Sequence, residues 1–352
     1  MLSVEEKVPL KKFNTLGFHS IAEYFCSVSS QNELSEALVW AKNKKISVFV
    51  LGGGSNVLLV GDIKGLVIHI SILGIELLSQ NGDDLVIKVG AGENWHQLVL
   101  KTLEMGWYGL ENLSLIPGSV GAAPIQNIGA YGVELSERFD SLDAVHKATG
   151  KYKKMNLDDC QFGYRSSFFK RDGQDEDVIT SVNFRLSLKS DICIEYPILK
   201  QSLMKLHTQL QMKHDQSFNE MLTPKMISDI VCSIRRSKLP DPKDIPSVGS
   251  FFKNPVVSSE IASDLIAKYP DTVSYSSCKG SIKISAAYLI EKAGWKGFKK
   301  NGVGVHDKQA LVLVNLGGSA QDFLSLALEI QASILEKFSI ELEIEPRVYR
   351  QP

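Results

Sequence analysis

Residues 116–132 read IPGSVGAAPIQNIGAYG, and no charged side chain occurs anywhere in the wider stretch 112–133. A run this long and uncharged invites comparison with a membrane span. Its two prolines, its repeated glycines, Gln126 and Asn127 argue against one, because each weakens a helix or adds a polar group that lipid cannot satisfy. Glycine and alanine side chains let another backbone or a flat ring approach closely. The stretch therefore reads as a buried, functional loop, and the fold has to be built around it.

Working outward, residues 32–45 read as an amphipathic helix, with Leu34, Ala37, Leu38 and Ala41 on one stripe and Asn32 as N-cap. Residues 46–51 read as a buried strand, and Gly52-Gly53-Gly54-Ser55-Asn56 separates it from a second apolar run, VLLV. Further strands are expected at 66–70, 85–89 and 178–188, and a helix from Trp95 to Glu104. The polar segment 201–230 is expected to be helical, with an inserted loop at QMKHDQSFNE. The proline-rich 237–255 should be an extended loop. Beyond it, helix alternates with strand through 259–268, 283–293, 310–316 and 319–337. Such alternation points to an α+β or α/β protein.

The bulk properties narrow the function. A chain of 352 residues suggests two or three domains. A net charge of −1 provides no global field for nucleic acid or an anionic membrane. No apolar run is long enough to span a bilayer, and the N-terminus lacks an apolar signal core, so a cytoplasmic location is expected. The five cysteines are scattered and never form a CxxC pair, which favours idle thiols over a disulfide framework or a zinc site.

Consecutive glycines in GGGSN can turn several amides into one concave nest suited to a pyrophosphate; a tight hairpin turn is the alternative. The spacing is neither that of a GxGxxG turn nor that of a P-loop. In the second loop, exposed amides and the carboxamides of Gln126 and Asn127 suit the polar edge of a flat ring such as an isoalloxazine. Together, GGGSN and PGSVGAAPIQNIGAYG resemble the FAD-binding signature of the UDP-N-acetylenolpyruvoylglucosamine reductases. The resemblance implies an α+β protein: an FAD-binding domain of the PCMH (vanillyl-alcohol-oxidase-like) type, built from two α/β subdomains, plus a C-terminal α+β substrate-binding domain. The expected boundaries are 1–70, 71–229 and 230–352, with the PCMH-type region at about 17–189. FAD would be held by Gly52, Gly53, Gly54, Ser55 and Asn56, by Pro117, Gly118, Ser119, Gly121, Ala122 and Ala123, and by Gln126, Asn127, Ile128, Gly129, Ala130, Tyr131 and Gly132. Residues 112–133 contain neither His nor Cys, so the flavin is expected to be noncovalent.

The same resemblance assigns a catalytic set. Tyr164-Arg165-Ser166-Ser167-Phe168-Phe169-Lys170 resembles the family's arginine motif, and a guanidinium suits Arg165 to a carboxylate or enolate. Gly249-Ser250-Phe251-Phe252-Lys253-Asn254-Pro255 resembles its serine loop, which implies Ser250 as proton donor. Leu342-Glu343-Ile344-Glu345-Pro346-Arg347 resembles its C-terminal ending and makes Glu345 the catalytic carboxylate, with Glu343 as fallback. Strand alternation would place Glu341, Glu343 and Glu345 on one face, with a solvated acidic face as the alternative to a catalytic role, and Pro346 should end or edge the strand. Tyr196, Lys238, Asn254 and Gln309 are implied substrate contacts. NADPH is the implied reductant and a UDP-sugar the implied substrate, without nucleic-acid or membrane partners. No metal site is expected, since His306 and Asp307 have no second ligand pair at useful spacing.

Overall fold

The computed structural model describes residues 2–209, 221–276 and 280–350. The expected loop at 211–220 and Cys278 lie outside these residues. The chain forms two compact units. One comprises Met1–Val8, Ala22–Gly53 and Ile63–Ser237; the other comprises Pro9–Ile21, Gly54–Asp62 and Lys238–Pro352.

The first unit carries two larger sheets, besides the two-stranded pair Gly129–Ala130 and Val133–Glu134. In one, Ile63–Ile70 lies between Ile21–Val28 and Val48–Leu51 and runs parallel to both, with Leu66 opposite Tyr24 on one side and Val48 on the other. A central parallel strand is covered on both faces, so it reads as a nearly continuous apolar run. Leu66, Val67 and Ile68 are accordingly fully buried. The helix Gln31–Lys44 connects Ile21–Val28 to Val48–Leu51 and buries the expected Leu34, Ala37, Leu38 and Ala41. Its N-cap is Ser30 rather than Asn32. Ser30 is extended and its side chain accepts from the Glu33 amide, while Ser29 bonds the Glu33 carboxylate in return. This reciprocal arrangement starts the helix ahead of Asn32.

The second sheet is antiparallel, in the order Tyr152–Asn156, Phe139–His146, Asp177–Ser187, Asp84–Gly90 and Ile75–Asn81. Along Asp177–Ser187, Val182, Phe184 and Leu186 enter the core. Polar residues of this strand bond across the sheet: Ser181 donates to Asp143, and Asn183 donates through its NH₂ to Ser141. The helix Trp95–Glu104 packs on this core through Trp95, Leu98 and Val99. A smaller core of Leu199, Leu203, Leu222, Ile227, Val231 and Ile234 joins the helices Pro197–Gln209 and Pro224–Lys238.

The second unit contains an antiparallel sheet in the order Ser247–Ser250, Val312–Asn315, Val303–Val305 and Lys299–Lys300. A three-stranded sheet and the helices Ser259–Lys268, Ala286–Lys292 and Ala320–Phe338 complete it. Its core includes an aromatic chain in which Phe323 packs edge-on against both Phe18 and Phe251. Two expectations change here. The segment 237–255 is not loop throughout, because a helix runs to Lys238 and Ser247–Ser250 is a strand; the irregular part is the proline-rich middle. The VLLV run, Val57–Val60, does not form a hairpin with Val48–Leu51. It pairs in parallel with the C-terminal strand Arg347–Arg350, so the hairpin reading of GGGSN is removed.

Candidate functional site

In the first unit, the two glycine loops meet. A Cβ on Gly53 would stand 2.9 Å from the Gly118 Cα, and one on Gly52 would stand 2.4 Å from the Ser119 Oγ. Gly121 is equally close to Ala91, with 2.6 Å between a built Cβ and the Ala91 Cβ. The Gly53 contact is with main chain and the other two are with short side chains, so a larger residue at any of the three would have to push its neighbour aside. The loop is hung from its neighbours: Gly118 O accepts from Trp95 N at 3.0 Å, Val120 N donates to Glu93 O and Gly121 N to Ala91 O, both at 2.8 Å. Trp95 also donates its indole N–H to Leu113 O, at 2.9 Å.

Among the described residues, the amides of Gly53, Gly118 and Ser119 find no acceptor within the protein. Unpaired amides on two touching glycine loops form a donor set suited to anionic oxygens. The residues present therefore fit a dinucleotide such as FAD. In the second unit Gly54 has a φ of +61°, and a Cβ there would meet Phe13 O at 1.9 Å, so that position also requires glycine.

Asn127 plays a different part from that of a ligand contact. Its side chain is fully buried; its NH₂ donates to Glu134 and to Gly163 O, and its carbonyl accepts from Ser136 N. The carboxamide thus ties the loop at 116–132 to the turn that carries the arginine motif. There Gly163 and Ser166 exchange both main-chain hydrogen bonds, and Arg165 is held at a φ of +49°. Arg165 donates to Gly129 O at 2.6 Å, while Ser167, fully buried, donates to Ile125 O at 2.6 Å. The arginine motif is thereby fixed on the loop itself. Tyr196 stands edge-on to Tyr131, with ring centroids 5.4 Å apart, and packs on the small helical core.

Sequence reasoning passed over two residues of this unit. Arg235 lies on Pro224–Lys238, and its Nε is enclosed without a hydrogen-bond partner among the described residues. Burial lowers its basicity, and the nearby Arg165 charge acts in the same direction. His96 accepts from Leu115 N through Nδ1 at 3.0 Å; burial, then the charges of Arg236 and Arg235, keep its pKa below the ordinary value. The arginine pair 235–236 was visible in the sequence, but only packing distinguishes the enclosed member.

In the second unit, residues 251–253 pair with 343–345. Glu345 N donates to Phe251 O and Lys253 N to Glu343 O, both at 2.9 Å, around an isolated bridge between Phe252 and Ile344. Ser250 ends its strand opposite Val312, just after Gly249, whose φ is +74°. The fully buried Phe251 and Phe252 then anchor the chain. The alternative of a solvated acidic face does not describe all three carboxylates. Glu341 and Glu343 are exposed and Glu343 is ion-paired with Lys253, whereas Glu345 is 9% exposed. After Pro346 the chain leaves this pairing and joins Val57–Val60. Asn254 uses its carbonyl oxygen on Ala286 N at 2.9 Å. Gln309 lies in the turn before Val312–Asn315, and Lys238 is exposed. Asp307 pairs with Lys299, and His306 Nδ1 accepts from Lys308 N.

Comparison with known proteins bears on both units. Residues 22–156 match the FAD binding domain family, and residues 241–349 match the C-terminal domain of UDP-N-acetylenolpyruvoylglucosamine reductase. The chain is 44% identical to the UDP-N-acetylenolpyruvoylglucosamine reductase of Pseudomonas putida, over 98% of each protein. It is 45% identical to that of Paraburkholderia phymatum, covering 96% of this chain and 95% of the relative. The crystal structure of the Thermus caldophilus reductase superposes with a TM-score of 0.66 at 23% identity, covering 99% of this chain and all of that one, which supports the fold.

Proposed function

The chain belongs to the UDP-N-acetylenolpyruvoylglucosamine reductase family, and from that premise we propose that it uses NADPH to reduce UDP-N-acetylglucosamine enolpyruvate to UDP-N-acetylmuramate, in peptidoglycan precursor synthesis. It is an FAD-containing oxidoreductase of α+β fold. Bound FAD supplies the two-electron chemistry that the side chains cannot provide. The flavin would be held noncovalently by the loops at 52–56 and 117–132, with Asn127 organising the second loop from within.

The protein's own contribution is charge, orientation and a proton. Reduction of the enolpyruvyl double bond adds hydride to its terminal carbon and a proton to the neighbouring one. Charge that develops toward the carboxylate between these events is assigned to Arg165. Ser250 gives the proton, and Glu345 is the assisting carboxylate. The observation that carries this assignment is the pairing of 251–253 with 343–345, which buries Glu345 in the strand pair that Ser250 leads into and leaves Glu343 in a surface ion pair. Tyr196, Lys238, Asn254 and Gln309 remain the proposed substrate contacts, with Tyr196 supported by its packing on Tyr131. As a functional division we keep 1–70 and 71–229 for the flavin and 230–352 for the substrate, with Pro9–Ile21 and Gly54–Asp62 contributed to the latter unit. We place the enzyme in the cytoplasm, acting on these small molecules without nucleic-acid or membrane partners.

Stopped-flow absorbance tests the proposal. The holoenzyme is reduced anaerobically with NADPH and then mixed with UDP-N-acetylglucosamine enolpyruvate. Rapid return of the oxidised flavin band is expected. Flavin that NADPH reduces and this sugar cannot reoxidise would overturn the substrate assignment.

A further inference from the structure

Residues 188–196 join the strand Asp177–Ser187 to the helix Pro197–Gln209 without a strand or helix of their own. The segment is nonetheless packed on both sides. Ile192, Ile194 and Tyr196 lie on the small helical core, and Cys193 lies on the large core of the same unit. This is the two-residue alternation of an extended chain, wedged between two apolar surfaces. Such a chain, lacking a ladder partner, must find other partners for the main-chain groups it buries. Asn112 supplies one. It is 2% exposed, and its NH₂ donates to Cys193 O at 2.9 Å and to Tyr131 O at 2.8 Å. Both hydrogens of one buried carboxamide are thus spent, one on the loop at 116–132 and one on the segment. The two lie close at this point. A Cβ on Gly132 would stand 3.3 Å from Cys193 Sγ and 3.8 Å from Tyr196 Cβ.

The two ends of this pin do not depend on it equally. Tyr131 sits between Gly129–Ala130 and Val133–Glu134, which pair with each other, and the Asn127 carboxamide binds Glu134 as well. Among the described residues, 188–196 enter no strand pairing. Loss of the Asn112 bonds therefore falls on the segment that carries Tyr196. We propose that Asn112 is a positioning residue for the substrate: it pins 188–196 to the end of the loop and so fixes Tyr196 edge-on to Tyr131, with its hydroxyl placed for the sugar nucleotide. The assignment rests on the functional reading above, in which Tyr196 is a substrate contact. Asn112 itself touches neither substrate nor flavin in this account. It acts through the three residues that separate Cys193 from Tyr196, a span short enough for a fixed carbonyl to set where the ring stands.

The test uses holoenzyme Asn112→Ala and Asn112→Gln, each alone and combined with Tyr196→Phe, with the two flavin half-reactions measured separately. For Asn112→Ala, reduction by NADPH is expected at the wild-type rate. The sugar concentration that half-saturates reoxidation should rise roughly 10-fold, within the roughly 100-fold that a misplacement of about 1 Å can cost. Asn112→Gln keeps both N–H donors on a longer arm and should recover part of the loss. In Tyr196→Phe the ring still packs but the hydroxyl is gone, so adding Asn112→Ala should raise that concentration by less than about 2-fold more. Penalties that simply multiply would show a role independent of Tyr196 and overturn the proposal. Equal slowing of both half-reactions, or wild-type sugar dependence in Asn112→Ala, would also overturn it. If Asn112→Ala does not retain FAD, the same comparison made with Asn112→Gln decides. A wild-type enzyme that this sugar cannot reoxidise would instead overturn the functional reading, and Tyr196→Phe with wild-type sugar dependence would remove Tyr196 as a contact; either takes the Asn112 assignment with it.

Discussion

Gly53→Ala is the substitution that most directly interrogates the meeting of the two glycine loops. The added Cβ would lie 2.9 Å from the Gly118 Cα, 3.1 Å from its carbonyl carbon and 3.2 Å from the Ser119 nitrogen. Ordinary carbon contacts begin near 3.5 Å, so the loops would have to part by roughly 0.6 Å. All three obstructing atoms are main chain, and no rotamer change relieves them. Gly53 is not in the left-handed region, so an alanine there carries no conformational penalty. Without the clash, the substitution would stabilise the protein by about 0.4–1 kcal/mol through the unfolded chain. With it, overpacking should cost about 1–3 kcal/mol. The sign of the change therefore decides the matter. Urea unfolding of the apoprotein should show a lower midpoint at unchanged slope, and fluorescence titration should show FAD bound roughly 5- to 150-fold more weakly if the strain falls on the ligand site. Gly163→Ala is the comparator for stability, since its nearest neighbour would be the Ser166 Cβ at 4.0 Å. A Gly53→Ala protein as stable as wild type, with unchanged FAD affinity, would refute the close approach.

Three further outcomes are expected. Ser250→Ala should leave reduction by NADPH intact and slow reoxidation by the sugar about 10²- to 10⁴-fold; equal rates in both half-reactions would remove Ser250 from proton delivery. Glu345→Gln should lower turnover by about 10²-fold or more, whereas Glu343→Gln, which breaks only a surface ion pair, should change stability by under about 1 kcal/mol and leave turnover near wild type; the reverse pattern would exchange their roles. His96 has a native pKa below 6.5, so its contribution to stability is fully present above that pH and is lost as pH falls through the native pKa. Chemical unfolding at pH 7.5 and 5.5 should therefore show a loss on acidification that is smaller in His96→Asn, and identical pH dependence in the two proteins would exclude His96 as its source.

Much of the local structure could be read directly from residue pattern. The helix over Trp95–Glu104 and the buried stripe Leu34, Ala37, Leu38 and Ala41 came from periodicity, which is a property of consecutive residues. The two glycine loops announced themselves because few folds need so many small residues in one uncharged stretch. Where sequence reasoning erred, the cause was competition or distance. Asn32 and Ser30 are both good caps, and only the reciprocal bonds with Glu33 choose between them. Alternation put Glu341, Glu343 and Glu345 on one face, yet burial differs along it: Glu343 is exposed, while Glu345 is 9% exposed where the chain passes from one strand pairing to the next.

The sequence by itself determined which residues could bear the chemistry: loops able to hold a flavin, an arginine motif, a serine loop and an acidic C-terminal segment. What only the tertiary structure decided was how each one is held. Nothing local says that VLLV pairs with a strand almost three hundred residues away, or that the Asn127 carboxamide is spent inside the protein. Nor does anything local say that Arg235 has its Nε enclosed while its neighbour Arg236 is exposed. Propensity and periodicity act over a few residues, whereas burial, counter-charge and hydrogen-bond satisfaction are set by whatever the folded chain brings alongside.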